Sequence, residues 1–412
     1  MPNNSRLFEQ RDIVILFATR IARLFAYGFL SVVLALYLVG VGLSGEQVGV
    51  LFTLTLAGDA AVSLLITTSA DRLGRRKMLI IGTLLMIAAG AVFLMTHNFI
   101  LLIIAAIIGV ISPSGNEIGP FLSIEQAALS QLVTDRQRTR VFAWYNLVGS
   151  FATATGALSG GWIAQGLQHS GWSHTGSYRA VLAGYATIGV VLLLLFLTLS
   201  RSVEAPRIEQ PVARTLGLHK SRGIVFRLSA FFAADAFAGG LIIQSMIAYW
   251  FHLRFRIDAG TIGTIFFGAN VLAGVSALLA VRIARKIGLL RTMVFTHIPS
   301  NILLILVPLM PNLPLAIGVL LARFSISQMD VPTRQSYTMA VVAPDERSAA
   351  SGVTAIARSV GAALSPSLTG IFFASSALLV LPFFLSGGIK IIYDLALLAT
   401  FSKVTPPEEK TG

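Results

Sequence analysis

The chain has 412 residues, of which 55% are hydrophobic and only 12% charged, with a mean hydropathy of +0.80. Soluble domains carry about 25% charged residues to coat a surface that faces water, so this chain must turn apolar surface to lipid. The absence of cysteine excludes disulfide frameworks, CxxC redox chemistry and zinc–thiolate sites, and the net charge of +13 sits in short loops between apolar runs, which points to membrane topology and not to nucleic acid.

A bilayer span needs about 20 mostly apolar residues. By that ruler span 1 covers residues 12–41, span 2 46–70, span 3 78–97, span 4 100–133, span 5 141–167 and span 6 179–200. The first run is far longer than the roughly 7–15 apolar residues of a cleaved signal, so it is expected to be retained as a span. A polar stretch, 201–222, contains Glu204, Pro206, Glu209 and Pro211 and reads as a linker. Spans 7 to 12 then cover 223–253, 258–281, 292–310, 314–343, 348–374 and 376–401. The expected fold is therefore an all-α membrane protein with a bundle of six helices in 1–200, a linker at 201–222 and a second bundle in 223–412.

Basic residues fix the orientation. Of the 31 Lys and Arg, 21 fall in the termini and alternate loops, and only Arg179, Arg254 and Arg256 fall in the others. Both termini are thus expected in the cytoplasm, which requires an even number of spans; ten or fourteen satisfy parity, but the run count favours twelve. The halves also look duplicated. A constant shift lays Gly45–Arg76 on Ala259–Leu290, bringing Gly49 onto Gly263 and Gly74 onto Gly288, and a similar one lays Asp135 on Asp345 and Gly160 on Gly370. Repeats of this kind mark secondary transporters, whose substrate sites lie near the midplane at the repeat interface.

Between spans 2 and 3 the chain reads Asp71-Arg72-Leu73-Gly74-Arg75-Arg76-Lys77. As chemistry this is a tight turn with cations at a membrane surface, suited to helix-end carbonyls and anionic headgroups. The string resembles the loop motif G-x-x-x-D-R-x-G-R-[RK] of the major facilitator superfamily: Asp71, Arg72, Gly74, Arg75 and Arg76 match, and Thr67 replaces the leading glycine. The second copy, Arg285-Lys286-Ile287-Gly288, keeps the glycine and has Arg285 in place of the acid. The resemblance implies that spans 1, 4, 7 and 10 line a central cavity, that two pseudo-symmetric halves rock around it, and that the five matched residues form a conformational gate that does not touch substrate. Drug antiporters of this superfamily have a Gly-Pro motif in span 5 and an arginine in span 4; here Gly160-Gly161 lacks the proline and no arginine stands at 115–120.

Ionisable groups at membrane depth cost about 2.5–3.5 kcal/mol each on the insertion scale and are functional candidates by default; the plain alternative is a structural bridge between helices. Span 1 carries Arg20, Arg23 and Tyr27; span 4 carries Glu117 and Glu125. Arg20 and Glu125 each lie about nine residues, or about 13 Å, from a cytoplasmic end, so an ion pair of Arg20 or Arg23 with Glu125 is expected. Glu117 lies deeper, in a Pro- and Gly-rich stretch tolerated where it lines a cavity, and has no evident basic partner. It is the first candidate for a proton site, beside the alternative of a solvated carboxylate. Span 7 carries Asp235 and span 10 carries Arg323, Asp330 and Arg334, whose spacing puts them on one face. Asp235 with Arg334 across spans, or Asp330 with Arg334 along the span, are both plausible pairs, and Pro332 should bend span 10. Asp59 in span 2 is expected to face the interface with the second half, a substrate or proton role being the less favoured reading. Lys390 and Asp394, four apart on span 12, read as a local pair on a peripheral helix. Arg358 has no assigned partner.

No GxSxG, HExxH or P-loop string occurs and the histidines show no metal spacing, so no enzyme activity and no cofactor is expected. The expected protein is a multi-pass transporter, monomeric in a bacterial inner membrane, with the lipid bilayer and a small-molecule substrate as partners and a proton gradient as energy source. Proton-coupled export of a small amphipathic organic solute leads. Uptake or facilitated diffusion of a polar or anionic solute follows from the surplus of buried arginines, and a non-transporting membrane sensor or assembly partner is the reading from another class.

Overall fold

The computed structural model describes residues 3–117, 119–205, 218–343 and 346–402. Ile118 of span 4, residues 206–217 of the expected linker, Asp345 of the repeat and the last ten residues of the chain lie outside the described residues.

Among the described residues every regular element is helical. In chain order the α-helices are α1 (Asn3–Ser31), α2 (Leu34–Gly40), α3 (Gly45–Leu73), α4 (Arg75–Met95), α5 (Phe99–Ile108), α6 (Phe121–Leu132), α7 (Asp135–His169), α8 (His174–Leu197) and α9 (Arg222–Gly240). They continue with α10 (Gln244–Phe255), α11 (Ala259–Ile287), α12 (Leu289–Leu306), α13 (Leu313–Phe324), α14 (Asp330–Ala340), α15 (Arg347–Ala363), α16 (Pro366–Phe373) and α17 (Leu381–Phe401). Nine helical segments among the described residues are long and apolar enough to cross a membrane. Spans 4 and 10 are divided in two, and span 5 is the 35-residue α7, which starts at Asp135, before the expected 141. The order agrees with twelve spans.

Side-chain caps set several helix starts. Ser44 and Gln47 form a reciprocal capping box at α3, and Asn98, Ser173 and Asn312 accept backbone amides at α5, α8 and α13. The boundary between α3 and α4 is Gly74 at φ 106°, and that between α11 and α12 is Gly288 at φ 88°. These two glycines coincide in the sequence repeat, and both adopt a backbone that L side chains rarely accept.

Spans 1, 4, 7, 10 and 11 are each discontinuous. Span 4 unwinds over 109–117 and 119–120, where Pro113, Gly115 (φ 69°), Gly119 (φ 81°) and Pro120 leave no regular ladder. Span 7 breaks after Gly239-Gly240, and span 11 breaks just before Pro366. Span 10, expected to be continuous over 314–343, is interrupted at 325–329. Pro332 explains the position: its ring would clash with the carbonyl of residue 328, so the helix restarts at Asp330 and Pro332 falls in the first turn, where no intrahelical amide is required. The expected bend therefore lies upstream of the proline.

The chain forms two compact units: Met1–Glu209 with Gln244–Phe267, and Gln210–Ile243 with Gly268–Gly412. In the first, α1 packs closely along α7. A Cβ at Gly156 or Gly160 would collide with the Phe25 or Phe29 carbonyl, and one at Gly28 with that of Thr153. Gln244 and Ser245 of α10 bind Ser31 (2.7 Å each), and Trp162 donates to Thr264 (3.1 Å). In the second unit α9 packs along α15 and α12 along α17, and Gly361 lies against the Ala233 carbonyl.

Candidate functional site

Arg20 and Arg23 are one turn apart on α1 and point into the first unit. Arg23 grips Glu125 of α6 with both guanidinium ends: Nη1 to Oε1 is 2.8 Å and Nη2 to Oε2 2.6 Å, and neither side chain has any exposed surface. Its Nε donates to Glu117 Oε1 at 2.9 Å, and Arg20 Nη1 pairs with Glu117 Oε2. Tyr145 of α7 donates to Glu125 Oε2, and Thr19 Oγ1 lies 2.9 Å from Oε1. The guanidinium of Arg20 lies 4.7 Å from the Tyr145 ring centre and that of Arg23 4.6 Å from the Phe121 ring centre. Gly149 makes this possible, since a Cβ there would sit 2.9 Å from Arg20 Nε. Tyr27, one turn beyond Arg23, is fully buried.

The expected pairing of span 1 with Glu125 is present, through Arg23. The expectation that Glu117 has no basic partner is corrected: it lies between both arginines. The unwound 109–117 stretch lets its carboxylate reach back to α1, a turn that a regular helix from 100 to 133 would not make.

In the second unit the organising group is Asp235 of α9, which is 3% exposed. Its Oδ1 takes Lys390 Nζ of α17 at 2.5 Å; its Oδ2 takes Arg358 of α15 at 3.1 Å and Arg334 of α14 at 3.4 Å. Arg334 also donates to Asp330 at 2.7 Å, and its guanidinium lies 5.6 Å from the Phe232 ring centre. Both expected pairs of Arg334 are thus present together. Asp394 of α17 binds His297 Nδ1 of α12 at 3.0 Å, with Asn301 at 3.5 Å.

Three expectations are revised here. Lys390 and Asp394 do not pair with each other: each reaches to a neighbouring helix, Lys390 to Asp235 of α9 and Asp394 to His297 of α12. Arg358 has a partner, Asp235. The shared helix face of Arg323, Asp330 and Arg334 is not kept, since the interruption at 325–329 breaks the helical register between them; the Arg323 guanidinium lies 4.9 Å from the Phe324 ring centre. Sequence reasoning missed His297. The available signal was His297 and Asn301 four apart on a span (292–310) with no other ionisable side chain, opposite a span with the polar pair Lys390 and Asp394.

At the loop between α3 and α4, Arg75 Nε donates to Asp71 at 2.8 Å, so Asp71 finds its base within the motif. The backbone amides of Arg75 and Arg76 donate to Glu204 at 2.6 and 3.3 Å, an anion at a helix N-terminus. Arg75 also reaches Gln131 (3.0 Å), Arg76 reaches the Leu197 carbonyl (2.6 Å), and Arg72 is exposed. The corresponding place before α9 is held by Glu346. Burial pushes its carboxyl up, but the Ser221 hydroxyl and the amides of His219, Ser221 and Lys220 outweigh this and hold it down at about 2. Among the described residues no three His, Asp or Glu side chains converge as a metal-ligand set.

Comparison with known proteins agrees with this architecture. Residues 16–366 match the model of the Major Facilitator Superfamily. The chain is 32% identical to the uncharacterized membrane protein YJR124C of Saccharomyces cerevisiae, over 95% of this chain and 94% of that one. It is 25% identical to the quinolone resistance protein NorA of Staphylococcus aureus, over only 34% of each. Among solved structures, a bacterial homolog of the human lysosomal transporter Spinster, inward-facing and occupied, aligns with a TM-score of 0.75 at 16% identity, covering 96% of this chain and 97% of that one. A D-xylose–proton symporter aligns at 0.71 and 15% identity, covering 93% and 96%. The chain belongs to the major facilitator superfamily and is a multi-pass membrane transporter, not an enzyme.

Proposed function

We propose that this transporter is a proton-coupled exporter of a small amphipathic organic solute, working by alternating access between two halves. The observation that carries the reading is the pair of buried charge networks, built mostly on the discontinuous spans, with Lys390 and Asp394 contributed by the continuous α17. Arg20 and Arg23 face Glu117 and Glu125, while Lys390, Arg334 and Arg358 face Asp235, Asp330 and Asp394. Burying so many charges only to hold helices together is expensive, since well-packed apolar side chains do that as well or better. A carboxylate held by several cations can change partners at low energetic cost, which suits a carrier that exchanges protons and solute.

Export is favoured because the networks consume the arginines: four of those expected to recognise an anion are already bound to carboxylates. The partial likeness to a quinolone resistance protein points the same way. The Asp71, Arg72, Gly74, Arg75 and Arg76 loop would act as the gate, with Glu204 as its latch. A second reading, uptake or facilitated diffusion of an anionic solute, is favoured by Arg323, which makes no ion pair among the described residues. The full-length likeness to a yeast protein means that chains of this type are not confined to bacterial inner membranes.

Whole-cell accumulation of a quinolone, with and without a proton uncoupler, tests the proposal. Export requires less solute in expressing cells than in controls and loss of that difference on uncoupling. Higher accumulation in expressing cells would reverse the direction.

A further inference from the structure

His297 is a titratable group inside the second unit that the transport reading above does not use. It is 5% exposed, at membrane depth on α12. Nδ1 is 3.0 Å from Asp394 Oδ1 and Nε2 is 3.9 Å from Asp235 Oδ1. The imidazole therefore lies between two carboxylates, one of which also holds the arginines of the cluster.

The surrounding charges define what a proton would do there. From α17 come Asp394, Lys390 and the Tyr393 ring, the last 6.2 Å away between ring centres; from α9 comes Asp235. Beyond Asp235 stand Arg334 and Asp330 of α14 and Arg358 of α15. The charged side chain of α13 is Arg323, and the 3-10 turn Val307–Leu309 has none. With a neutral imidazole, three cations (Lys390, Arg334, Arg358) balance three carboxylates (Asp235, Asp330, Asp394). A proton on His297 leaves one cation in excess. Histidine is the side chain whose charge ordinarily changes between pH 5 and 8. The network of the first unit contains no such group: its members are Arg, Glu, Tyr and Thr.

We propose that His297 and Asp394 form a proton-binding site on the α12–α17 helix pair, and that Asp235 relays its state to Arg334 and Arg358. The proton comes from water and goes to an imidazole nitrogen, whose hydrogen bonds to Asp394 and toward Asp235 strengthen as charge appears. Asp235 then has one more cation to satisfy and holds Arg358 and Arg334 less firmly. Arg358 is the member best placed to respond, because its side chain is 34% exposed while the others are buried. The outcome is proton-dependent release of a guanidinium. This rests on the proton-coupled reading and gives it a site away from the spans that the family resemblance assigns to the cavity.

The first test needs no solute. The full chain is purified in detergent and its thermal unfolding midpoint followed from pH 5.5 to 8, for the wild type, His297→Gln and Asp394→Asn. A proton site makes the difference between wild type and His297→Gln change with pH, by about 2–4 °C across the range, and Asp394→Asn changes the pH at which this occurs. A purely structural hydrogen bond gives parallel curves, which overturns the proposal. Should His297→Gln not fold, the comparison of Asp394→Asn with wild type decides it by the same criterion. The second test uses proteoliposomes and a quinolone that moves protons in the wild type. His297→Gln should exchange solute within about twofold of wild type without a gradient, and lose gradient-driven accumulation by about tenfold or more; unchanged accumulation overturns the relay. If the wild type moves protons with no solute, proton coupling fails while the unfolding comparison still decides whether His297 binds a proton.

Discussion

Arg23 is the residue on which the first network turns. Three of its nitrogens are bound to two carboxylates with no exposure to solvent, a geometry that only the planar guanidinium fork can satisfy. Glu125→Gln leaves that cation without its bidentate partner and should cost about 3–5 kcal/mol, read as loss of chemical or thermal stability in detergent. Replacing Arg23 and Glu125 together by methionine should cost less than the sum of the single changes, because no charge is then left alone. Glu346 makes a prediction of its own sign. Its carboxyl titrates at about 2, below the ordinary 4.5, so the anion stabilises the fold fully above pH 4.5 and this contribution fades as pH falls toward 2. Glu346→Gln should therefore lower the unfolding midpoint by a constant amount at neutral pH, and the two curves should converge between pH 4.5 and 2. At this scale the sequence was informative where partners lie at matching depth on spans 1 and 4. It paired Lys390 with Asp394 and passed over His297, whereas both of those residues and His297 find partners on neighbouring helices, because the partner of a buried charge depends on which helix faces which, and spacing along one helix does not contain that.

The helices themselves follow from the apolar runs, and most of their interruptions follow from proline and glycine. Residues 109–120 could be read as irregular from the sequence, and the break before Pro366 has the same cause. The interruption at 325–329 was misplaced because Pro332 acts on the carbonyl four residues earlier, not on its own position. Small residues set how close α1 and α7 come. Gly160→Leu or Gly156→Leu would drive a side chain into the Phe29 or Phe25 carbonyl. Either should reduce folded yield severely and displace α1, and with it Arg20 and Arg23. Gly166→Ala, on the same helix with nothing within 4 Å of its would-be Cβ, should instead keep or raise stability by up to about 1 kcal/mol through helix propensity. Unfolding midpoints of the three variants test whether backbone approach, and not glycine content, decides the packing.

For the whole molecule, lipid as solvent explains why composition sufficed to identify the class. Too little charge for a water-facing surface forces apolar faces outward, and several of the charges that remain in the spans are drawn together in a network inside each unit. The Asp71–Lys77 loop and the doubled order of spans carried the family. The substrate was not legible, because recognition depends on a few side chains whose neighbours are set by folding. The central claim is that solute and proton move in opposite directions through one carrier. Its most direct measurement is the pH inside proteoliposomes loaded with an impermeant pH dye, after a quinolone is added outside with no imposed pH gradient. Inward solute movement through an antiporter must carry protons out, so the lumen should become alkaline, and a protonophore should abolish the change. Solute entry with no change in luminal pH, or with acidification, would contradict it.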